Sequence, residues 1–284
     1  MGQTVKKVSF QGFKGANSDM ASRVLVPGCE TLPCLTFEEA FRAVQDGQAD
    51  LAVIPVDNNL AGRVADVHHL IPKSGLSITA EYFMPIRFAL MAIKGAKPED
   101  LKHVYSHVHA FPQCRNIVKK MGLQTHIHAD TAGAAADVAA WGKADTAALA
   151  PALAADIYNL DVIAHDVQDT ATNTTRFLLF SPDAIVPPYK EDASVITSLI
   201  FRVRNIPAAL YKALGGFATN GINIVKIESY VDEKFQAAQF YCEMEGHPQN
   251  RLLKLAIEEL AFFAEEVRVL GTYPADEFRK TQKG

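Results

Sequence analysis

A polar run at residues 172–177 combines three threonines, one asparagine and one arginine, and it directly precedes an apolar stretch. An arginine guanidinium can hold a carboxylate through two parallel hydrogen bonds, and a threonine hydroxyl beside it can donate another. Thr175 and Arg176 are therefore candidates for binding an anionic ligand. A plain polar loop before a strand is the alternative interpretation.

Polar side chains also stand where other predicted strands end. A polar cluster at 57–59 follows the apolar run 50–56, and Ser106 closes a strand-like segment at 103–106. In open α/β sheets, side chains at the carboxyl ends of strands point into the crevice where ligands bind. These positions are candidate ligand contacts, and an Asx-rich turn is the alternative at 57–59.

Two predicted helix starts offer backbone N–H groups that can meet an anion. The glycine-rich loop 11–18 precedes a helical pattern, although it lacks the G-x-G-x-x-G and G-K-[ST] patterns of nucleotide-binding loops. A tight strand-to-helix turn is the alternative there. At the second start, Asp130 or Thr131 is the predicted N-cap, and the small residues after it leave room for a ligand. Capping alone also explains this pair.

Other catalytic chemistries have less support in the sequence. Histidine pairs at 68/69, 107/109 and 126/128 show neither H-E-x-x-H nor a Cys/His zinc spacing, so we interpret them as half-exposed polar faces. The G-x-S-x-G elbow of a serine hydrolase does not occur. Cys114 lies in a helical stretch and is expected to be a buried structural cysteine rather than a nucleophile. The sequence predicts neither a metal site nor a cofactor.

The composition is that of a globular chain that acts on small molecules. Of the 284 residues, 49% are hydrophobic and 21% are charged, which excludes wholesale disorder. A net charge of −4 provides no global basic field for nucleic acid or anionic membrane. No apolar run approaches the ~20 residues of a membrane helix. The amino terminus has no signal-like apolar core and the four cysteines form no C-x-x-C pair, so a cytoplasmic location is expected.

The length suits two domains, and the clearest seam lies at 181–192, where three prolines and a charge cluster interrupt the patterns. We predict a first domain over 1–181, a linker over 182–193 and a second domain over 194–284. The first domain alternates strand-like runs with helical patterns, which predicts an α/β domain with mainly parallel sheets. Its strand-like runs lie at 5–10, 50–56, 76–93, 103–106, 123–128, 146–150 and 160–167.

The second domain shows the order β-α-β-β-α-β, which is the ferredoxin-like arrangement. Pro207 suits the first position of its first helix, which should stop at 220–221. A polar turn at 232–234 separates the two central strands. The remaining predicted elements are strands at 195–203, 222–231, 238–245 and 266–273, and a helix at 249–264.

Together these segments resemble prephenate dehydratase over about residues 5–275, and the second domain resembles the ACT regulatory domain fused to it in that family. The most specific marker is the N-x-T-R-F signature, present as residues 173–177. The other markers occur in the order of the family. They are the glycine-rich first loop, Pro55-Val56-Asp57-Asn58, Ser106-His107 with Gln113-Cys114, and Asp130-Thr131-Ala132-Gly133-Ala134.

The resemblance implies a two-lobed, periplasmic-binding-protein-like catalytic domain that converts prephenate to phenylpyruvate in phenylalanine biosynthesis, without metal, nicotinamide or pyridoxal. It implies that Thr175 acts on the departing hydroxyl and that Arg176 helps to hold the substrate. The chain has Asp57 where the family usually has glutamate, which withdraws the carboxylate by one methylene. The substrate-binding residues that the resemblance implies, besides Arg176, are Asn58, Asp57, Ser106, Thr131, Asn173 and Phe177.

In the ACT domain, two effector motifs of the family match in part. The G-A-L motif corresponds to Ala208-Ala209-Leu210, and the E-S-R-P motif corresponds to Glu228-Ser229-Tyr230-Val231, without its arginine and proline. Asn223 is also expected to meet the charged ends of the effector. Because phenylalanine binds between two ACT domains in this family and inhibits, the resemblance implies phenylalanine as effector and a homodimer or dimer of dimers.

Two alternatives to a prephenate dehydratase remain open. An arogenate dehydratase would perform the same elimination on the transaminated substrate. A non-catalytic amino-acid sensor is the other alternative, because two-lobed α/β domains often bind small anions without chemistry. A sensor has no reason to keep the signature at 173–177 intact.

Overall fold

The computed structural model describes residues 5–204, 206–231 and 237–281. By its contacts the chain divides into two units. One comprises Met1–Val67 and Tyr82–Phe177, and the other comprises His68–Glu81 and Leu178–Gly284. The predicted domain limits of 1–181, 182–193 and 194–284 stay a prediction beside this division.

Of the elements described, β1 to β11 and α1 to α6 lie within residues 7–181, and β12 to β15 and α7 to α9 follow. The strands are β1 (Lys7–Gln11), β2 (Glu30–Cys34), β3 (Leu51–Asn58), β4 (Gly62–Arg63), β5 (Ser77–Pro85), β6 (Ala89–Ile93), β7 (His103–His107), β8 (Gln124–His128), β9 (Thr146–Ala150), β10 (Leu160–Ala164), β11 (Thr174–Ser181), β12 (Val195–Val203), β13 (Ile224–Val231), β14 (Ala237–Glu245) and β15 (Ala264–Pro274). The helices are α1 (Asn17–Leu25), α2 (Phe37–Gln45), α3 (Ala65–Leu70), α4 (Arg115–Met121), α5 (Thr131–Trp141), α6 (Ala152–Tyr158), α7 (Ala209–Thr219), α8 (Arg251–Phe263) and α9 (Phe278–Thr281).

The first sheet has the strand order β2-β1-β3-β11-β5, with β4 added to β3. β1 pairs in parallel with both β2 and β3. Strands covered on both faces need continuous apolar runs, and Ala52, Val53 and Ile54 in β3 are fully buried. β3 and β11 therefore deliver their polar ends, at Asn58 and Thr174, next to one another in the sheet.

The second sheet has the order β10-β6-β9-β7-β8. β7 pairs in parallel with β8 and β9, whereas β6 pairs antiparallel with β9 and β10. The prediction of mainly parallel sheets is therefore wrong for this half of the unit. The predicted run 76–93 divides into β5 and β6 because the chain leaves the strand conformation between Pro85 and Ala89.

In the alanine-rich segment 129–155, helix and sheet pack against each other at close range. Ala132, Ala134 and Ala135 of α5 are fully buried, as are Ala148 and Ala150 of β9. Small side chains let a helix approach a strand closely without leaving voids, because protein interiors are packed at the density of organic crystals. The segment is thus an ordinary packed core of helix and strand.

The second unit contains an antiparallel sheet with the order β13-β14-β12-β15. α7 and α8 bury Phe217 and Leu253 in the core that this sheet contributes to. The elements follow the predicted β-α-β-β-α-β order. Gly271 must remain a glycine, because a Cβ there would overlap the carbonyl oxygen of Ile78.

Two details of the second unit differ from the prediction or lie beyond it. α7 begins at Ala209 rather than at Pro207. Ala208 takes a left-handed backbone conformation (φ 62°), which is not a helical one, so the residues before Ala209 cannot belong to the helix. The predicted turn at 232–234 lies outside the described residues.

Within the ranges that the structure describes, no helix combines the length and apolar character needed to cross a bilayer.

Candidate active site

A chain of hydrogen bonds joins Asn58, at the end of β3, to the polar run that opens β11. The side-chain Nδ2 of Asn58 donates to Asn173 Oδ1 at 2.6 Å and to Thr175 Oγ1 at 2.9 Å. The Oδ1 of Asn58 accepts from the backbone N–H groups of Leu60 and Ala61, which fixes the amide orientation. The structure thus brings together three of the predicted site residues.

Gln113 extends this chain, and the sequence-based set of site residues missed it. Its Oε1 accepts from Asn173 Nδ2, and its Nε2 donates to the carbonyl of His109 at 2.8 Å. The signal that could have identified it was present in the sequence, because Gln113 belongs to one of the family markers. It connects the loop after β7 with the loop before β11.

Asn59 holds the backbone of the same polar run. Its Nδ2 donates to the carbonyl of Thr172 at 2.6 Å, and its Oδ1 accepts from the N–H of Thr174 at 2.8 Å. The backbone carbonyl of Asn173 accepts from the N–H of Ile86 at 2.8 Å. The conformation of 172–175 is therefore fixed from both sides, which is what a preorganised site needs.

Arg176 follows Thr175 in the sequence, and its side chain lies beside Asp57. It exposes only 4% of its surface, and its Nη1 is 3.7 Å from Asp57 Oδ2. Its guanidinium carbon is 5.6 Å from the ring centroid of Phe83, which is a cation–π distance. The charge of Arg176 is therefore engaged by the protein, and Phe177 after it is a core residue at 1% exposure.

Ser106 and Thr131 lie apart from this network in their hydrogen bonding. Ser106 is fully buried, and its hydroxyl donates to the carbonyl of Leu149 at 2.6 Å, which ties β7 to the neighbouring β9. Thr131 is the first residue of α5 and lines a cavity. Asp130 is the N-cap of that helix, because its Oδ1 accepts from the N–H of Gly133 at 2.8 Å.

The cavity that Thr131 lines has a volume of about 630 Å³. Its walls are formed by the amino-terminal ends of α1, α2 and α5, together with His107 at the end of β7 and His109 in the loop after it. The backbone carbonyl of His109 also accepts the hydrogen bond from Gln113. The loop that lines the cavity is therefore connected to the hydrogen-bonded cluster of Asn173, Asn58 and Thr175.

The glycine-rich loop is a closely packed turn, as one of its two interpretations predicted. Gly12 N–H donates to the carbonyl of Cys34, and Gly15 N–H donates to Asp19 Oδ2 at 2.7 Å. A Cβ at Gly15 would come within 2.8 Å of the Cα of Ala154, so the loop approaches α6 at backbone distance. The N–H groups of both glycines are therefore used within the protein.

Burial perturbs two ionisable groups of the cavity in opposite directions. Burial raises the pKa of Asp130, although the N–H groups of Gly133 and Ala132 and the nearby histidines act against it. Burial and the neighbouring His109 lower the pKa of His107. Each shift favours the neutral form of the group concerned.

Metal binding and a thiol nucleophile are two other chemistries that the structure bears on. Within residues 5–204, 206–231 and 237–281, no group of three or more His, Cys, Asp or Glu side chains is placed to hold a metal ion. Cys114 is fully buried, and burial raises the pKa of its thiol to about 12. A thiol with this pKa is a poor nucleophile near neutral pH, as its interpretation as a structural cysteine predicted.

The predicted effector residues lie in the second unit, and their role stays a prediction. Ala208, Ala209 and Leu210 lie at the start of α7. Asn223 is exposed and donates through Nδ2 to Glu245 Oε2 at 3.1 Å. Two further members, Glu228 and Ser229, lie on β13, where Glu228 is 3.5 Å from Lys226.

Known proteins resemble this chain over nearly its whole length. A sequence profile described as prephenate dehydratase matches residues 8–184. A protein of Komagataeibacter europaeus named bifunctional N-acyl-homoserine lactone acylase/prephenate dehydratase is 44% identical over 96% of this chain and 97% of its own length. An Arabidopsis thaliana protein named arogenate dehydratase/prephenate dehydratase 1, chloroplastic, is 37% identical over 95% of this chain and 72% of its own length.

A solved structure supports the same assignment and confirms the predicted fold. The crystal structure of prephenate dehydratase from Arthrobacter aurescens in complex with L-Phe superposes with a TM-score of 0.85 at 26% identity, covering 95% of this chain and 90% of the other. The two sheets formed by β1 to β11 and the ferredoxin-like sheet with α7 and α8 are therefore those of a two-lobed domain followed by an ACT domain. With its signature residues gathered around Asn58, the chain belongs to the prephenate dehydratase family.

Proposed function

We propose that this protein is a carbon–oxygen lyase that converts prephenate to phenylpyruvate, CO2 and water in phenylalanine biosynthesis. The observation that carries the proposal is the convergence of Asn58, Asn173 and Thr175 in one hydrogen-bonded cluster. The cluster uses the signature residues of the family and is connected through Gln113 to the wall of a polar cavity.

The reaction needs a hydrogen-bond donor more than it needs a strong base. Loss of CO2 and hydroxide makes the ring of prephenate aromatic, so the reaction is downhill, and the barrier lies in the poor leaving hydroxide. The electrons of the C–CO2 bond enter the ring while the C–O bond breaks, and one proton converts the departing hydroxide to water. A positioned donor that meets the growing negative charge on oxygen stabilises the transition state.

Thr175 is the donor in this proposal. Asn58 Nδ2 donates to Thr175 Oγ1, so the threonine oxygen acts as acceptor in that bond and its own hydrogen is available to donate elsewhere. Arg176 is buried against Asp57 and Phe83, which supports a role in shaping the site beside Thr175.

Formation of phenylpyruvate from prephenate, followed by its absorbance in alkali, tests the proposal. The wild-type protein should produce a signal above background, and Thr175→Ala should reduce kcat by about 10²-fold or more. Thr170→Ala is the matched control, because Thr170 is a half-buried threonine of the preceding loop whose hydroxyl contacts Thr172 and neither Asn58 nor Thr175. A Thr175→Ala enzyme that binds substrate and keeps near-full turnover would contradict the assigned role.

An arogenate dehydratase is the second candidate, favoured by the Arabidopsis relative whose name includes that activity. The two substrates differ only in a keto or amino group, so both fit the same elimination. Comparing kcat/KM for prephenate and arogenate decides between them. No product from either substrate would favour a non-catalytic amino-acid sensor.

An additional acylase activity is favoured by the identity of 44% to the Komagataeibacter europaeus protein, whose name includes N-acyl-homoserine lactone acylase. Release of a free fatty acid from an N-acyl-homoserine lactone, measured on the same preparation, tests it. Thr175→Ala should leave that release unchanged if the two activities use different residues.

The second unit is proposed to inhibit the enzyme when phenylalanine binds between two copies of it. A homodimer or dimer of dimers follows from a shared effector site, and a monomer in light scattering with and without phenylalanine would contradict it. Phenylalanine titration of prephenate turnover tests the regulation, and allosteric couplings typically amount to ~1–3 kcal/mol. A cytoplasmic location is proposed from the four free cysteines.

A further inference from the structure

A groove with mostly apolar walls is formed by α4, β8 and the loop after β7. Its volume is about 690 Å³, and ligand pockets in proteins typically measure ~300–1,000 Å³. None of the described residues that line it also lines the cavity beside Thr131, so the two are separate. The apolar residues of its walls are Val108, Phe111, Pro112, Val118, Leu123 and Ile127.

The groove keeps apolar side chains open to solvent. Ile127 is 73% exposed and Val108 is 43% exposed. Ile127 lies on β8, which ends the second sheet and pairs with β7. Side chains alternate along a strand, so His126 faces the other way, where its ring stacks on that of Tyr105 at 4.5 Å. One face of β8 is thus covered, and the groove face presents a contiguous apolar wall of the kind that marks a binding site.

Two cations border this wall. Arg115 and Lys119 lie one turn apart on α4, and both are exposed and line the groove. In the part of the chain that the structure describes, neither side chain forms an ion pair, and none of the described lining residues is acidic. The nearby carboxylate of Asp169 accepts from the backbone N–H groups of Arg115 and Asn116, each at 3.0 Å. The groove therefore complements a molecule that is apolar and negatively charged.

The same charges disfavour a second copy of the chain as the occupant. A two-fold interface brings the same patch of both subunits together. At this groove it would place Arg115 and Lys119 of one copy against the same cationic patch of the other, and like charges that face each other oppose association. A small anionic ligand is free of this repulsion.

We propose that this groove binds a carboxylate that carries an aliphatic chain, as a medium-chain fatty acid does. The chain packs against walls that are mostly aliphatic, with Val118, Leu123 and Ile127 among them. The carboxylate meets Arg115, whose guanidinium can hold both oxygens, and Lys119, which adds a point charge. The site is independent of the elimination proposed above, because it uses none of the residues assigned to that reaction.

Charge reversal of the two cations tests the head-group contact on the full chain. By calorimetry, the variant with Arg115→Glu and Lys119→Glu should bind decanoate at least about tenfold more weakly than wild type, because charge-assisted hydrogen bonds are lost. It should bind decyltrimethylammonium, which has the same chain and a cationic head, more tightly than wild type does. Lys120→Glu is the matched control, because Lys120 is exposed on the same helix and does not line the groove.

Chain length and a wall substitution test the apolar contact. Each CH2 group that enters the groove should strengthen binding by up to about fourfold, so the affinity should rise from hexanoate to octanoate to decanoate. Ile127→Ser should weaken decanoate binding by about fivefold. Because Ile127 is largely exposed, the Tm of this variant should stay close to that of wild type.

Three results would overturn the site. The first is a wild-type protein that does not bind decanoate. The second is an affinity for decanoate that is the same in wild type and in the charge-reversed variant, because the fatty acid would then bind elsewhere. The third is a change of oligomeric state in light scattering caused by Ile127→Ser, which would identify the groove as a contact between subunits.

Discussion

Asn58 donates a hydrogen bond to the hydroxyl of Thr175 at 2.9 Å across 117 positions of the sequence. The same amide nitrogen donates to Asn173 at 2.6 Å, so both bonds depend on one NH2 group. This relationship gives the threonine hydroxyl a defined direction before any substrate binds. Such preorganisation is what makes a weak donor useful in catalysis.

Asn58→Asp should therefore lower kcat by about 10²-fold while the protein stays folded. Aspartate keeps the oxygen that accepts from Leu60 and Ala61, but it removes both donated hydrogen bonds. Steady-state prephenate kinetics and a thermal unfolding curve are the measurements. A variant with wild-type kcat would show that the orientation of Thr175 is unimportant, and a large drop in Tm would instead indicate a structural effect.

Gln113 and Asn173 should act as one unit. Each single alanine variant should lower kcat/KM by about tenfold, because either removes the hydrogen bond that joins the two loops. The double variant should lose less than the product of the single effects, with a coupling of about 0.5–3 kcal/mol. Effects that simply multiply in the double-mutant cycle would contradict the connection between the cavity loop and Asn58.

The sequence predicted the parts of this site that lie in contiguous motifs. The run 173–177 and the cluster 57–59 both follow from local chemistry at strand ends, and the order of the sheet brings them together. Gln113 was harder to assign, because its partner Asn173 lies 60 positions away and neither side chain alone suggests a ligand contact. A hydrogen bond between distant loops has no periodic signal.

Ser106 illustrates the opposite case, in which a motif residue has its hydroxyl occupied by the fold. Its position at a strand end suggested a ligand contact, whereas its hydroxyl donates to Leu149 in the neighbouring strand. Which of several polar neighbours a buried hydroxyl chooses depends on strand register, and composition does not determine register. The start of α7 was also misplaced, because an alanine in the sequence does not predict the left-handed backbone conformation that Ala208 adopts.

Arg279 is predicted to be a main stabilising contact of the second unit. Its guanidinium lies 2.6 and 2.9 Å from the two oxygens of Glu81 and 3.2 Å from Glu243. The Glu81 side chain is fully buried, so removing the arginine leaves a buried carboxylate without this partner. Arg279→Met should lower the free energy of unfolding by about 3–5 kcal/mol.

Urea unfolding measures that loss, and Lys280→Met is the matched control. Lys280 pairs with Glu277 at 2.6 Å, but both side chains are exposed, so its loss should cost less than about 1 kcal/mol. Equal effects of the two substitutions would contradict the importance of burial at Glu81. A small effect at Arg279 would mean that other groups satisfy the carboxylate.

The native thiols of Cys114 and Cys242 should resist alkylation at pH 8. Both are fully buried, and burial raises the pKa of each thiol to about 12, so the reactive thiolate is scarce. Iodoacetamide labelling followed by peptide mass mapping should modify them only after unfolding, while prephenate turnover persists. Rapid labelling of Cys114 with parallel loss of activity would contradict this and indicate a role for the thiol.

Asp130→Asn should change the pH dependence of stability while it preserves the start of α5. Asparagine caps a helix as well as aspartate does, so the hydrogen bond from Gly133 can persist. In the wild type, burial raises the pKa of Asp130 in the folded state, so this carboxyl favours folding when it is protonated.

That contribution is fully present below the pKa of the unfolded chain, about 3.9 for aspartate, and is lost as the pH rises through the folded-state pKa. The Tm of Asp130→Asn relative to wild type should therefore increase between pH 4 and pH 7. Asp137→Asn, on the same helix and 3.1 Å from His128, is the control for removing a charge from α5. A difference in Tm between Asp130→Asn and wild type that stays constant with pH would show that the Asp130 carboxyl is not perturbed by burial.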